Sequence, residues 1–316
     1  MGIVDLSVII PSKNNGRHIT DIIKRLSDEL KEIEVEFIVI DMNSTDSSVI
    51  RVLEEIKRHD LRGCVIQSGG STISSALNTG IYKSDGKYIT FVYPSRQYQN
   101  YFADYLRTAD EHAADFVFAL TSQTGNVGSA GIKKTVSDRI DPVKLMEQLI
   151  HSRVYFDFTA VMLKREYLLR NHIKFYEECS FGYVEPFIYN VLLYDPQIAC
   201  ADTKLERCAE GIAVKDNTTE NINCYERIDA MLRVYENMKL QRKDNLALTE
   251  LFEGQKLPSV VMAVVDILLK QGFSYSTIKK SLKQKGYSDY LRPTGRTSSE
   301  LRRKLLQWKF MPWTYK

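Results

Sequence analysis

The chain has 316 residues, of which 44% are hydrophobic and 26% are charged. This length suits one large or two modest domains, and this composition excludes a largely disordered chain. The formal net charge is +3, but residues 279–316 hold eleven Lys or Arg against two acids. That region therefore carries a formal +9 and the rest of the chain −6. Such asymmetry indicates that the C-terminal region meets an anionic surface.

The five cysteines are odd in number and form no CxxC pair, which argues against a disulfide framework and a zinc ribbon. The five histidines show no metal-ligand spacing. The first residues lack the basic and apolar regions of a signal peptide. The most apolar later stretch, 260–269, is too short for a membrane span and contains Asp266. We therefore expect a cytoplasmic protein.

The first hundred residues alternate short apolar runs with apolar stripes at helical spacing. The predicted strands are 6–10, 37–41, 64–66 and 88–92, and the predicted helices are about 19–30, 49–56 and 73–81. Continuously apolar strands that alternate with helices predict a parallel sheet covered on both faces. Ligands of such sheets bind beyond the carboxyl ends of the strands, so the loops that follow the strands form the candidate site.

The pattern becomes mixed after about residue 115 and almost wholly helical after about residue 215. Strands are predicted at 116–120 and 158–163, and helices at 143–150, 184–193, 225–239, 247–252, 260–269, 277–284 and 300–309. The last helix follows Thr297-Ser-Ser-Glu300, a capping-box pattern. We predict an α/β domain over residues 1–215 and a basic helical region over residues 216–316.

Three stretches carry a resemblance to a known family. They are SVIIPSKN at 7–14, IVIDMNSTD at 38–46, and LNTG at 77–80 followed by GKYI at 86–89. In order and spacing they resemble the nucleotide-binding half of family 2 glycosyltransferases. The resemblance covers about residues 6–200 and implies the GT-A fold, a Rossmann-like, mostly parallel sheet flanked by helices, here with a C-terminal helical extension.

Asp41 matches the acid that contacts the donor nucleoside in that family. A carboxylate at the end of a strand can accept a hydrogen bond from a base N–H or a ribose hydroxyl. The alternative is a turn or helix-cap aspartate, because Asn43 and Ser44 crowd the same loop. The other donor-binding candidates near the same pocket are Pro11, Lys13, Asn14, Asn43 and Asn78.

The sequence leaves a structural alternative open for two of these candidates. Lys13 can instead be a solvated surface residue. Asn78 lies on the third helix, where it can support the pocket floor without touching a ligand. Gly80, two residues later, is predicted to let that helix pack closely on the sheet.

The chain departs from the family after the fourth strand, where two acids of a DxD motif normally hold a divalent metal. Tyr93 and Ser95 occupy these slots here, and neither replaces a carboxylate as a ligand of a hard cation. We therefore predict no metal at this place. Arg96 follows, and its guanidinium can neutralise a diphosphate without metal. The alternative is that Arg96 pairs with a neighbouring acid.

A second departure concerns the catalytic base, which the family usually places in a Glu-Asp pair at the start of a helix. Glu185 is retained here and Pro186 replaces the aspartate. Glu185 is therefore the candidate general base for an acceptor hydroxyl. It can equally be an acid at a helix start, where the helix dipole favours it.

The leading hypothesis is an inverting transferase that moves a sugar from a nucleotide diphosphate donor, most simply a UDP-sugar, to a glycan or lipid-linked glycan. The alternative is a non-catalytic GT-A domain that acts as a partner or regulatory subunit of an active transferase. A sugar nucleotidyltransferase is disfavoured because the 11–16 segment lacks a glycine-rich phosphate loop.

The basic tail adds a possible partner. Leu301, Leu305 and Trp308 fall on one helical face, and basic residues lie beside it. This pattern is typical of a helix that contacts an anionic membrane, here the inner face. The alternative is that the three apolar residues pack on the acidic body of the protein. No nucleic-acid-binding motif accompanies the charge, so we expect no nucleic acid partner.

Overall fold

The computed structural model describes residues 4–16, 18–69, 72–94, 97–120, 140–208 and 223–314. The strands in these ranges are β1 (Leu6–Ser12), β2 (Val35–Asp41), β3 (Gly63–Gln67), β4 (Tyr88–Phe91), β5 (Tyr98–Gln99), β6 (Phe116–Leu120), β7 (Phe156–Lys164), β8 (Ile198–Cys200) and β9 (Glu206–Arg207). Seven of them form one sheet in the order β3-β2-β1-β4-β7-β6-β8, and β5 pairs with β9.

The direction of the strands decides which residues meet at the functional edge. Strands β1, β2, β3 and β4 are parallel, so their carboxyl ends lie at the same edge of the sheet. Strand β7 runs antiparallel to both β4 and β6. Because β7 is reversed, its first residues lie at the edge where β1–β4 end.

The predicted fold is confirmed: a mostly parallel sheet carries helices, and a helical region follows it. The helices are α1 (Ile19–Glu29), α2 (Ser48–Arg58), α3 (Ile73–Lys83), α4 (Phe102–Glu111), α5 (Pro142–Ile150), α6 (Arg165–Arg170), α7 (Val184–Leu193), α8 (Glu226–Gln241), α9 (Leu246–Leu251), α10 (Leu257–Lys270), α11 (Tyr275–Gln284) and α12 (Ser299–Phe310). A π-helical turn, Phe252–Lys256, joins α9 to α10. Within the described ranges, no helix has the length and apolarity that a membrane crossing requires.

The sheet is buried on both faces, as its apolar strands predict. Val8 packs with α1 and α4 on one face, whereas the next residue, Ile9, packs with α3 on the other. The second face shares its core with the C-terminal helices, for example with Val261 and Leu305. The helical region therefore completes the core of the α/β region. The predicted boundary at residue 215 lies outside the described residues and stays a prediction.

Two local predictions have different outcomes. Gly80 does allow α3 to approach the sheet, because a Cβ at this position would lie 2.5 Å from Cγ2 of Ile9. The capping box predicted at Thr297–Glu300 does not form. Ser298 is the N-cap, and its side chain accepts a hydrogen bond from the Leu301 N–H. The Thr297 hydroxyl instead donates to the Gly254 carbonyl at 2.6 Å.

We expect Gly80→Val to lower the free energy of unfolding by about 1–3 kcal/mol, because the added methyl groups overlap Ile9 in a packed core. Urea denaturation measures this change. The matched control is Gly295→Val, since a Cβ at Gly295 meets no atom within 4 Å among the described residues. The control is expected to stay within about 0.5 kcal/mol of the wild type. Equal stability of the two variants would contradict the close approach of α3.

Candidate functional site

Hydrogen bonds from Asn14 and Gly16 join the loop after β1 to the loop after β2. The Asn14 N–H donates to the Ser44 hydroxyl at 2.9 Å, and the Asn14 side-chain oxygen accepts from the Thr45 N–H at 2.8 Å. The Gly16 N–H donates to the Asp46 carboxylate at 3.1 Å. Asn14 holds these contacts in the left-handed conformation, with φ of 53°. The two loops therefore form one unit at the carboxyl edge of the sheet.

Asp41 is buried at the last position of β2, which is the position expected for it. Its carboxylate accepts the Ser44 N–H at 3.2 and 3.4 Å, so it stabilises its own turn. Its carbonyl accepts both the N–H and the hydroxyl of Ser68, at 2.9 and 3.1 Å. Asp41 thus connects the loops after β2 and β3. These contacts agree with the turn role, and the donor-binding role stays a prediction.

Three further donor candidates lie at or near the same edge. Pro11 is buried in β1 and pairs in register with Ile40. Lys13 is exposed in the loop that follows β1. Asn43 is exposed in the loop after β2, with φ of 61°. The side chains of Lys13 and Asn43 are therefore available to a ligand, whereas Pro11 is buried in the strand that precedes the Lys13 loop.

Asn78 uses both ends of its amide on the protein backbone. Its NH₂ group donates to the Phe175 carbonyl at 2.9 Å, and its oxygen accepts the Phe175 N–H at 2.8 Å. This pair of bonds fixes the segment before α7 onto α3. The geometry favours the structural alternative that the sequence left open for Asn78.

The slot of the first DxD acid holds a buried tyrosine. Tyr93 follows β4, and its ring centroid lies 6.4 Å from that of Tyr183, the N-cap residue of α7. Burial raises the pKa of the Tyr93 hydroxyl well above its usual value, so the phenol stays neutral. A neutral phenol does not fit a divalent cation that prefers carboxylate ligands. Ser95 and Arg96 lie outside the described residues.

Glu185 lies in the first turn of α7, between two cations from later parts of the chain. Arg227 of α8 pairs with it at 2.8 Å, and Lys256 of the π-helical turn donates a short hydrogen bond to its other oxygen. Burial alone would raise the pKa of Glu185, but the charges of Lys256 and Arg227 outweigh it and lower the pKa to about 2. Glu185 is therefore a firmly ionised carboxylate.

The backbone before α7 is shaped to receive Arg227. Gly182 has φ of 67°, and a Cβ there would lie 2.7 Å from Cδ of Arg227. The Lys256 ammonium lies 5.2 Å from the centroid of the Tyr189 ring. A carboxylate with a pKa near 2 and two ion pairs is a weak proton acceptor. The role of Glu185 as general base stays a prediction, and the geometry favours an anchoring role.

Sequence reasoning missed a buried acid at this edge, Asp157. It lies near the start of β7 and accepts hydrogen bonds from the Tyr98 hydroxyl and from the N–H and hydroxyl of Thr159, the latter two at 2.9 and 2.7 Å. Its charge adds to the effect of burial in raising the pKa of the Tyr93 hydroxyl. The reversal of β7 brings Asp157 here, and no local pattern in the sequence reveals that reversal.

A known protein family matches the strands and loops of this edge. Residues 7–92 match the model of glycosyl transferase family 2. The match spans β1–β4 and the loops that hold Asp41 and Tyr93, so the sequence-based resemblance is confirmed there. No protein of curated function matches the chain.

Several solved structures share the fold of the whole chain. S. aureus TarS 1-349 in complex with UDP-GlcNAc has a TM-score of 0.66 at 17% identity, over 97% of this chain and 87% of that chain. The mannosyltransferase PcManGT from Pyrobaculum calidifontis, in complex with GDP-Man and Mn²⁺, has a TM-score of 0.53 at 13% identity, over 96% and 84%. This chain covers 53% of the longer TarS structure, about half its length. At these identities the likeness shows a shared fold.

We expect Glu185→Gln to lower the free energy of unfolding at pH 7 by about 3 kcal/mol, because it leaves two half-buried cations without their counter-charge. Urea denaturation measures the loss. Glu300→Gln is the control, since the Glu300 side chain is 74% exposed and pairs only loosely with Lys304 at 3.8 Å. A variant as stable as the wild type would contradict the anchoring role of Glu185.

The same ion pairs predict acid sensitivity. The pKa of Glu185 is lowered on folding from 4.5 to about 2. Its contribution to stability is therefore complete above pH 4.5 and is lost as the pH falls towards 2. The stability gap between wild type and Glu185→Gln should narrow over this range in urea denaturation at stepped pH. A gap that stays constant down to pH 2 would contradict the lowered pKa.

Proposed function

We propose that this protein transfers a sugar from a nucleotide diphosphate donor to a hydroxyl group of a glycan or lipid-linked glycan. The observation that carries the proposal is the joined pair of loops after β1 and β2, with Asp41 buried where they meet. Open α/β sheets bind ligands at this edge. The family 2 match covers the same strands and loops.

A UDP-sugar is the donor that we propose. The structure of S. aureus TarS with UDP-GlcNAc, which shares the fold over almost all of this chain, supports this choice. Asp41 would accept a hydrogen bond from the base or ribose, and the exposed Lys13 and Asn43 lie beside it to contact the nucleotide. Asn14 would fix the loop through its bonds to Ser44 and Thr45.

The proposed reaction is a single displacement with inversion. The acceptor oxygen attacks the anomeric carbon from the side opposite the nucleotide, the new glycosidic bond forms, and the bond to the diphosphate oxygen breaks. The diphosphate leaves with the electron pair, and a base takes the hydroxyl proton. While Glu185 is paired with Arg227 and Lys256, its pKa of about 2 makes it too weak a base to take that proton. Glu185 can therefore act as the base only after these ion pairs open.

The negative charge that develops on the leaving diphosphate needs a positively charged group beside it. Tyr93 is neutral in the first acid slot and supplies no metal ligand. We propose that Arg96, three residues later, neutralises the diphosphate with its guanidinium. Arg96→Ala should then weaken donor binding, whereas a metal chelator should not.

Asp41→Asn is expected to weaken UDP binding by about tenfold, because it removes the charged acceptor at the edge while keeping the shape of the side chain. Isothermal titration calorimetry with UDP measures the affinity. The control is Asp85→Asn, since Asp85 is exposed and precedes β4 at the opposite edge of the sheet. Equal affinities of the two variants would contradict the placement of the nucleotide at Asp41.

We also propose that α12 and the residues after it contact an anionic membrane, which would bring a lipid-linked acceptor to the site. The predicted contact face needs correction: Leu301, Leu305 and Trp308 are buried against the body of the protein, because they complete its core. The apolar residues Leu306, Phe310, Met311 and Trp313 are instead exposed beside Arg302, Arg303 and Lys309. Basic and exposed aromatic side chains on one surface suit an interfacial contact.

The double substitution Phe310→Ser and Trp313→Ser should lower binding to anionic vesicles by about tenfold or more, since it removes two aromatic anchors. Co-sedimentation with phosphatidylglycerol vesicles at low salt measures the bound fraction. The control is the double substitution Ile50→Ser and Tyr82→Ser. Ile50 and Tyr82 are 62% and 71% exposed, which is similar to Phe310 at 62% and Trp313 at 66%. If the wild type stays in the supernatant, or if both double variants bind equally, the membrane contact is wrong.

A further inference from the structure

A cleft of about 330 Å³ lies between the 172–178 segment, α7 and α8. Ligand pockets in proteins range from about 300 to 1,000 Å³, so this cleft is of a size for a single small ligand. None of the residues assigned above to the donor, the diphosphate or the acceptor proton lines it.

The floor of the cleft is a network of neutral hydrogen-bonding groups. The Asn237 NH₂ group donates to the Asn190 side-chain oxygen at 3.1 Å and lies 3.4 Å from the Tyr194 hydroxyl. The Asn190 NH₂ group donates to the Tyr176 hydroxyl at 2.9 Å. Asn190 is buried, so this network is held in place by the core. Amides and hydroxyls both donate and accept, which hydroxyl-rich ligands require.

The charged residues at the rim of the cleft are paired with one another. Arg233 binds Glu178 at 2.7 Å, and Lys174 lies 3.5 Å from Glu177. The Arg233 guanidinium also lies 5.5 Å from the centroid of the Tyr176 ring. Two formal positive and two formal negative charges therefore balance around the opening. A neutral ligand matches this balance better than a phosphate or a carboxylate does.

The wall of the cleft is fixed before any ligand arrives. The Thr72 hydroxyl donates to the Glu177 carbonyl at 2.5 Å, and Asn78 bonds both backbone groups of Phe175. Thr72 is the N-cap of α3, which begins beyond the carboxyl end of β3. The cleft is thus attached to the same edge of the sheet as the nucleotide loops, by a rigid connection.

We propose that this cleft is a saccharide-binding site that takes one neutral sugar unit. The two asparagine amides and two tyrosine hydroxyls would bind the sugar hydroxyls, and the tyrosine rings would cover its apolar C–H face. The site is separate from the donor loops, and its occupation does not depend on the transfer reaction.

Saturation-transfer NMR tests this with methyl glycosides of glucose, galactose, mannose and N-acetylglucosamine. At least one glycoside should bind the wild-type protein, and excess UDP should not displace it. Asn237→Ala and Tyr194→Phe should each weaken binding by about five- to tenfold, because each removes a hydrogen-bonding group. The matched control is Gln241→Ala, which removes an exposed amide from the last residue of α8, outside the cleft.

Thermal unfolding of each variant shows whether the fold is kept, and Tyr194→Phe preserves the ring if Asn237→Ala proves unstable. The proposal is overturned if no glycoside binds the wild type, if UDP displaces the bound glycoside, or if both cleft variants bind as well as Gln241→Ala. A failure of the Asp41 titration would leave these results unaffected, so the two proposals fail separately.

Discussion

A half-buried carboxylate between two cations connects α7 to the helical region that follows it. Glu185 lies in the first turn of α7, which packs in the core on one face of the sheet, whereas Arg227 and Lys256 come from α8 and the π-helical turn. Ionised groups are costly to bury, so this arrangement adds little net stability, but losing one partner is severely destabilising. The ion pairs thus connect α7 to α8 and to the π-helical turn, while adding little to the net stability of the fold.

The same arrangement sets the geometry of the functional edge. Tyr183 is the N-cap residue of α7, two residues before Glu185, and its ring lies beside Tyr93 at the end of β4. Tyr93 places a neutral, buried phenol where the DxD motif has its first carboxylate. The remaining buried acids of the edge, Asp41 and Asp157, are each engaged by hydrogen bonds of their own loops or strands. The proposed chemistry therefore relies on a cation, Arg96, in place of a metal.

Much of the fold follows from the sequence, because the apolar runs of β1, β2 and β4 are long and uninterrupted and their helices have clear apolar stripes. The loops after these strands were found for the same reason, together with Asp41. Some elements escaped prediction. Helix α4 was missed although Phe102, Tyr105 and Ala109 fall at helical spacing, whereas α6 has only six residues and β8 three. Such elements form because neighbouring strands and helices cover them, which local propensity does not encode.

Long-range pairing explains the other differences. The partners of Glu185 come from positions 42 and 71 residues later in the chain, so its ion pairs cannot be read from its helix. Asp157 reaches the edge only because β7 is reversed. The apolar stripe of α12 was correctly recognised, but whether it faces a membrane or the core depends on α10, against which the helix packs.

The proposed nucleotide-sugar site works without a metal at the DxD position. The most direct measurement is a thermal-stability screen of UDP- and GDP-sugars on the wild-type protein, each with manganese and with chelator. A donor at ~100 times its dissociation constant should add about 2.7 kcal/mol of stability. At least one UDP-sugar should stabilise the protein equally with manganese and with chelator. Stabilisation that requires manganese, or none with any nucleotide-sugar, would contradict this proposal.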